Sequence, residues 1–425
     1  MRKITSIMYS EKIQEFIFIG LIATVFTFGF MYRIIDPRLI FWFSVVFCLY
    51  ELKMKRVNPF NISFLLLFET YLLTGIMDYS KEPWLNLYWS NLKFVWIFPT
   101  VYTLGMVASS GSDRATSKKR AKYALLALAF GMFGQVILDY TNKLFMPDWE
   151  YYWFAFWGKD SEVRNTFDMG FLLVINYCFY TFINRKKDKK QFYFGSVLLA
   201  AILGVTLLWG KGRLIAVMIA VMIMIYVLIA LCRGDIKLSK KLVAVVAGII
   251  LFLGLLMLVI IKTDFMGVQE IYNNSFLSRD GGILHNVRFK IHIDAAKKTI
   301  LYPLGGWEGL YERGGTHNTF FEYARWYDTV VFSFLALFFI LELVNGLRLL
   351  KRKDNFALNY MLVSSQIIFM IYFFMEPNGF AYRYYLVFPI FICGIVRGWS
   401  TVVNNDGRIR KGELKKYADM PTNIA

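Results

Sequence analysis

Apolar runs of about 20 residues recur along this 425-residue chain. An α-helix rises about 1.5 Å per residue, so each run matches the roughly 30 Å hydrocarbon layer of a bilayer. Hydrophobic residues make up 57% of the sequence, which is more apolar surface than a soluble core of this size buries. The sequence therefore predicts an all-α polytopic membrane protein, with residues 1–425 forming one integral membrane domain.

Hydropathy predicts about twelve transmembrane helices, with the first retained as an anchor. The predicted spans are Phe16–Tyr32, Leu39–Leu52, Pro59–Met77, Phe94–Ala108, Tyr123–Leu138, Met169–Ile183, Phe192–Trp209, Leu214–Cys232, Leu242–Ile261, Thr329–Gly346, Phe356–Met375 and Tyr384–Val396. The second and last are short enough to be tilted or re-entrant. All four cysteines, Cys48, Cys178, Cys232 and Cys393, lie in or at the edge of these runs, so no disulfide framework is predicted.

Lysine and arginine are concentrated in alternate connections between the predicted spans and in both tails. The basic connections are Lys53–Arg56, Arg114–Arg120, Arg185–Lys190, Arg233–Lys241 and Lys351–Lys353. Basic residues near span ends are retained on the cytoplasmic side, so both termini are predicted to be cytoplasmic in a bacterial inner membrane. The formal net charge of +18 follows from this topology and from attraction to anionic membrane lipid, without a nucleic-acid partner.

Two predicted outer connections are long. Residues 139–168 are rich in Trp and Tyr and predict either an interfacial aromatic belt or a sugar-stacking surface. Residues 262–328 form the large extracytoplasmic loop, which contains all three histidines, His285, His292 and His317. Within it, Ile283–Leu301 has helical apolar spacing, and His285 and His292 share its adjoining face with Arg288. That helix is either an ordinary interfacial helix or a carrier of active-site residues.

A glycine-rich stretch, residues 302–316, leads to His317 and Asn318. Glycines such as Gly305 and Gly306 let backbone approach a ligand and expose amide donors, although they are equally typical of a flexible loop. No phosphate-loop or dinucleotide-binding motif surrounds them.

Four short motifs together resemble the O-antigen polymerase and O-antigen ligase family. They are Gly210–Arg213, Arg288, Pro303–Gly306 and His317–Phe321, in that order around a long outer loop late in the chain. The resemblance implies an all-helical fold related to GT-C-type glycosyltransferases. It also implies a metal-independent transfer of glycan from a polyprenyl diphosphate carrier to an acceptor sugar. Departures from the family pattern at Lys211–Gly212, His292 and Asp328 leave the subgroup open.

The chemistry of this transfer assigns roles to individual residues. Guanidinium groups bind phosphate oxygens bidentately without losing charge, so Arg213 and Arg288 are predicted to bind the departing diphosphate, with Arg383 as a third candidate. Arg213 and Arg383 also lie next to span ends, where arginine snorkels to lipid headgroups. No outer connection contains an Asp-x-Asp pair, and neither a metal nor another cofactor is predicted.

His317 is the predicted general base, since a neutral imidazole accepts a proton near pH 7. We expect it to open the run into the tenth span. Alternatively, His317 binds the diphosphate or orients the sugar, and Asn318 caps the helix that follows. His292 and Asn318, with the two glycines Gly305 and Gly306, complete the predicted substrate-binding set.

The expected partners are a polyprenyl-diphosphate-linked oligosaccharide, membrane lipid, a chain-length regulator and a flippase. A ligase that transfers finished glycan uses the same carrier chemistry and stays open. A flippase or other transporter is the second alternative, for which many polar residues in mid-helix and short outer loops are typical. Glu69, an acid inside the third predicted span, is expected to make only an internal hydrogen bond.

Overall fold

The computed structural model describes residues 58, 60–81, 88–111, 113–144, 163–209, 222–227, 287–310, 315–316, 318–352, 355–375, 380 and 383–418. Their secondary structure is helical throughout, without a strand. The helices are α1 Ile62–Lys81, α2 Tyr88–Ala108, α3 Arg114–Leu144, α4 Val163–Ile183, α5 Lys189–Trp209, α6 Val287–Leu301, α7 Thr319–Trp326, α8 Thr329–Leu350, α9 Phe356–Met375 and α10 Val387–Ala418, with a 3₁₀ turn at Arg383–Leu386. The predicted all-α class holds for this part of the chain.

Three described helices are long and apolar enough to cross a membrane: α8, α9 and the first 19 residues of α10. This finding supports a membrane-embedded protein, whereas the count of twelve spans stays a prediction. The predicted spans Phe16–Tyr32, Leu39–Leu52 and Leu242–Ile261 lie outside the described residues, and Leu214–Cys232 is described only over 222–227.

Two helices extend well beyond the spans that hydropathy predicts. Helix α3 has 31 residues and α10 has 32, more than a 30 Å layer needs. The predicted outer connection 139–168 therefore begins inside α3 and ends inside α4, with 145–162 outside the described residues. The bounds of the last predicted span, Tyr384–Val396, were wrong as well. Tyr384 lies in the 3₁₀ turn, and α10 continues past Val396. Hydropathy detects only the apolar part of a helix and misses its polar extensions.

Helices α2 and α10 pack backbone to backbone through three glycines. A side chain at Gly105 of α2 would collide with the Phe391 carbonyl oxygen of α10. Gly394 and Gly398, one turn apart on α10, meet the carbonyls of Tyr102 and Met106 in the same way. Small residues at this spacing let transmembrane helices approach closely, where van der Waals contact and not the hydrophobic effect holds them together.

Buried polar side chains also join the apolar helices. The amide of Asn176 on α4 donates to the Met361 carbonyl at 2.7 Å, and the Trp399 indole of α10 donates to Asn359 Oδ1 of α9 at 2.9 Å. The buried acid of the described spans is Glu342 on α8. Glu69 is exposed on α1, which corrects the expectation of an internal hydrogen bond there.

The two ends of the bundle carry different chain segments. Lys118, Lys187 and Asn355 come from three basic connections predicted to be cytoplasmic, and they line one cavity where α9 begins. At the far ends of α1 and α9, Asp78 and the Phe374 carbonyl accept hydrogen bonds from the two caps of α7, Tyr327 and Asn318. Helices α6 and α7 therefore lie at the end of the bundle opposite that cavity, and the side of the membrane that each end faces stays a prediction.

Candidate functional site

Helix α6 covers the last 15 residues of the predicted loop helix and ends at Leu301, as the spacing predicted. Ile291 and Ala295 are buried, and Ala295 packs with Trp307 and with Ala324 of α7. The apolar stripe of α6 thus lies against protein. Residues 283–286, including His285, are outside the described part of the chain.

His292 lies on α6 beside the C-terminal end of α9. Its half-buried ring is 5.4 Å, centroid to centroid, from Phe374 and 6.5 Å from Phe321 of α7. Arg288 is one helical turn before His292 on α6, where the structure describes its backbone and not its side chain. The fold therefore brings His292 to the junction of α7 and α9.

Asn318 forms the N-cap of α7. Its Oδ1 accepts the Phe321 amide at 3.0 Å, and its Nδ2 donates to the Phe374 carbonyl at 2.8 Å. The side chain is fully buried, so the capping role considered from sequence is present. The same two bonds tie the start of α7 to the end of α9. A contact of Asn318 with substrate stays a prediction.

Glu322 is the residue at this site that sequence reasoning missed. Its Oε1 accepts the backbone amide and the hydroxyl of Thr316, and its Oε2 accepts Nε and Nη2 of Arg325, both at 2.9 Å. The carboxylate is buried in the first turn of α7, where the positive end of the helix dipole favours an anion. An acid in the first turn after Asn318 was the available signal.

His317 itself lies outside the described residues, but both of its neighbours are fixed. Thr316 is buried and bonded to Glu322, and Asn318 is buried and bonded to Phe374. The chain on either side of His317 is thus anchored to α7 and α9.

The position of His317 relative to the tenth span differs from the prediction. The chain forms the eight-residue helix α7 first, and it then breaks at Tyr327 and Asp328 before α8 begins. The Asp328 carboxylate caps α8 by accepting the Val331 amide at 2.6 Å. His317 therefore precedes a short separate helix and not a membrane span, because the polar N-cap at Asp328 starts a new helix. Helix α8 begins at Thr329, the predicted start of the tenth span, and the outward position of the segment before it stays a prediction.

Gly305 and Gly306 form a left-handed turn over the end of α7, with φ of 74° and 75°. The Gly306 amide donates to the Arg325 carbonyl at 2.7 Å, and the Gly305 amide donates to the Tyr302 carbonyl at 3.0 Å. A Cβ on Gly305 would collide with the Tyr327 carbonyl oxygen. Both amides have partners inside the protein, so the glycines' described role is to close this turn, and their contact with substrate stays a prediction.

An aromatic surface borders α7. Trp326 is 48% exposed, stacks on Phe380 at 6.1 Å, and lies 4.9 Å beneath the Arg325 guanidinium. On the buried side, the Tyr327 hydroxyl donates to both oxygens of Asp78 at 2.9 and 3.0 Å. The exposed part of the Trp326 indole therefore lies beside a cation, and the carboxylate of this group, Asp78, is on its buried side.

The structure describes less of the two remaining predicted site residues, Arg383 and Arg213. Arg383 begins the 3₁₀ turn that leads into α10, and its side chain is not among those described. Arg213 lies outside the described residues. Within the described part of the chain, no group of three or more His, Cys, Asp or Glu side chains is arranged to hold a metal ion. The metal-independent reaction stays a prediction.

No protein-family model matches this chain, and no curated protein is detectably similar to it in sequence.

Proposed function

We propose that this protein is a polymerase of lipid-linked oligosaccharide repeat units, of the kind that builds O-antigen, capsular or exopolysaccharide. It transfers glycan from a polyprenyl diphosphate carrier to an acceptor sugar at the outer membrane face. The observation that carries the proposal is the anchoring of the chain around His317. Thr316 and Asn318 are buried and hydrogen-bonded on either side of it, next to the α6 face of His292.

The reaction requires two kinds of group at one place. Negative charge develops on the diphosphate as it leaves the anomeric carbon, and arginine forks stabilise that charge without a metal. We assign this role to Arg213 and Arg288, with Arg383 as the third candidate. The acceptor hydroxyl must lose its proton as it attacks, and His317 accepts it. Aromatic faces such as Trp326 supply a stacking surface for sugar rings.

A ligase has the same carrier chemistry, so the same site serves it. A transporter or flippase is favoured by a different observation, the ion pair of Glu342 and Arg397 in the helical interior. Ionisable groups inside transmembrane bundles commonly mark transport pathways. A polymerase requires the outer residues for function, whereas a transporter requires the interior pair.

The test is complementation of a host strain from which this gene has been removed. The wild-type gene should restore long polymer, and the empty strain should accumulate a lipid-linked single repeat unit at the outer face. Arg213→Ala and Arg288→Ala should each abolish polymer while the protein remains in the membrane. Arg288→Lys should rescue poorly, because the bidentate fork is lost.

The matched control is Lys290→Ala, which removes an exposed positive charge from the same helix as Arg288. Polymer should be unchanged in this variant. Accumulation of the repeat unit on the cytoplasmic face would instead identify a flippase. A normal repeat-unit polymer that is not attached to its final acceptor would identify a ligase.

A further inference from the structure

A basic cavity lies at the end of the bundle opposite α6 and α7. It has a volume of about 420 Å³ and is lined by Lys118 and Lys122 of α3 and by Lys187 of the α4–α5 connection. The amides of Asn184 and Asn355 also line it. These residues come from three separate connections of the chain, which only the tertiary fold brings together.

Two helices begin at the basic cavity. Gln191, in the first turn of α5, and residues 356–358, the first turn of α9, contribute to its lining. The hydrogen bond from the Asn359 amide to the Asn355 carbonyl, at 3.0 Å, closes the first turn of α9 at the cavity. Helix N-termini carry partial positive charge and favour anions.

The positive charge of the cavity is only partly balanced. Asp188 is the one acid among its described lining residues, and its Oδ1 already accepts the Gln191 amide at 3.0 Å as the cap of α5. The pKa of Lys118 is lowered from its ordinary value, chiefly by partial burial. The nearby positive charges of Lys187, Lys122 and Arg114 lower it further. The Lys122 ammonium lies 5.1 Å from the centre of the Tyr180 ring, which holds it at the cavity wall. The folded protein therefore gathers cations that repel one another around one open cavity.

We propose that the basic cavity binds the phosphate group of an anionic ligand, either a phospholipid headgroup or a soluble phosphate compound, at the predicted cytoplasmic end of the protein. The rule that places basic residues on the cytoplasmic side requires only charge near the span ends. It does not require three lysines and two helix N-termini to converge on one cavity. Basic pockets between transmembrane helices on this side bind anionic headgroups.

The experiment uses the full-length protein in nanodiscs and measures bound ligand by native mass spectrometry and by thermal unfolding. One arm has phosphatidylcholine nanodiscs titrated with inorganic phosphate, and the other has phosphatidylglycerol mixed into the disc. The test variant is Lys118→Gln with Lys187→Gln. The control is Lys186→Gln with Lys190→Gln, which removes the same charge from exposed positions outside the cavity lining.

We expect the test variant to lose roughly 30-fold in affinity, since each lysine near an anionic surface contributes about 1 kcal/mol, or about fivefold. The control variant should retain wild-type affinity, and Lys118→Arg with Lys187→Arg should retain most of it. Binding in the phosphatidylglycerol arm alone identifies a lipid headgroup, and binding of inorganic phosphate identifies a soluble ligand. Equal losses in test and control variants, no loss in either, or no binding in either arm would overturn the proposal.

Discussion

The Arg397 guanidinium of α10 donates two hydrogen bonds to the same oxygen of Glu342 on α8, from Nη2 at 2.7 Å and from Nε at 3.1 Å. Tyr102 of α2 donates to that oxygen at 2.8 Å, and Ser63 of α1 donates to it as well. Four helices thus meet at one carboxylate, whose side chain is completely buried. The other oxygen, Oε2, has no hydrogen-bond partner among the residues that the structure describes.

This interior pair leads to a prediction about stability. Glu342→Gln removes the charge that Arg397 needs, and we expect it to cost about 3 kcal/mol, the low end for a buried pair, because Arg397 stays 27% exposed. Glu342→Leu combined with Arg397→Met should be less destabilised than either single variant. Thermal unfolding in detergent micelles measures the effect. Glu69→Gln, which changes the exposed acid of α1, should change stability by less than about 0.5 kcal/mol.

We expect alanine to cost more stability at Gly305 than at its neighbour Gly306. Both glycines have positive φ, so an alanine at either position costs about 1–2 kcal/mol. Gly305→Ala also forces a clash with the Tyr327 carbonyl, whereas a Cβ on Gly306 meets open space. Thermal unfolding should therefore show a clearly larger loss for Gly305→Ala. Equal losses would mean that the turn does not pack on the end of α7 as described.

We expect Glu322 to affect the reaction rate by holding the chain beside His317 in place. Glu322→Gln weakens the bonds to Thr316 and Arg325 that hold the chain beside His317. A misplacement of about 1 Å at a reacting group costs on the order of 10²-fold in rate. With purified lipid-linked repeat unit, we expect kcat to fall by this order while KM changes little. The matched Glu308→Gln, at an exposed acid of the same segment, should leave both constants unchanged.

Substitutions of His317 should distinguish a general base from a group that only orients the substrate. As a general base, His317→Ala should lower the rate of polymer formation by about 10²- to 10⁴-fold and should accumulate the lipid-linked single repeat unit. His317→Gln should not restore the rate, because an amide donates and accepts hydrogen bonds but cannot take the proton. Gel analysis of polymer length and rate checks this. Near-normal polymer in His317→Gln would make the residue an orienting group.

The topology prediction needs no assay of activity. Reporter tags at both termini and after Lys187 should report the cytoplasm, and a tag at Gly281 should report the outer side. The reason is the alternation of basic connections along the chain. A cytoplasmic tag at Gly281 would remove the site from the face where the lipid-linked substrate is expected.

Periodicity and composition were sufficient to predict several of the described helices and some of their ends. The end of α6 at Leu301, the whole of α9 and the start of α8 after Asp328 follow from local patterns of apolar and capping residues. These features could be predicted because each depends on residues within a few turns of one another. The polar extensions of α3 and α10 could not be predicted in this way, because hydropathy does not distinguish a polar helical segment from a polar loop.

Contacts between distant residues were decided only by the tertiary structure. Nothing local to Glu342 indicates that Arg397, 55 positions later, lies beside it, and nothing in the basic connections shows that Lys118 and Lys187 line one cavity. The same holds for Asn318, whose capping role is local but whose bond to Phe374 spans 56 positions. A sequence fixes which groups a chain carries and which local structures they favour. Their partners depend on how the helices pack, and that is set by close approaches such as those of Gly105, Gly394 and Gly398.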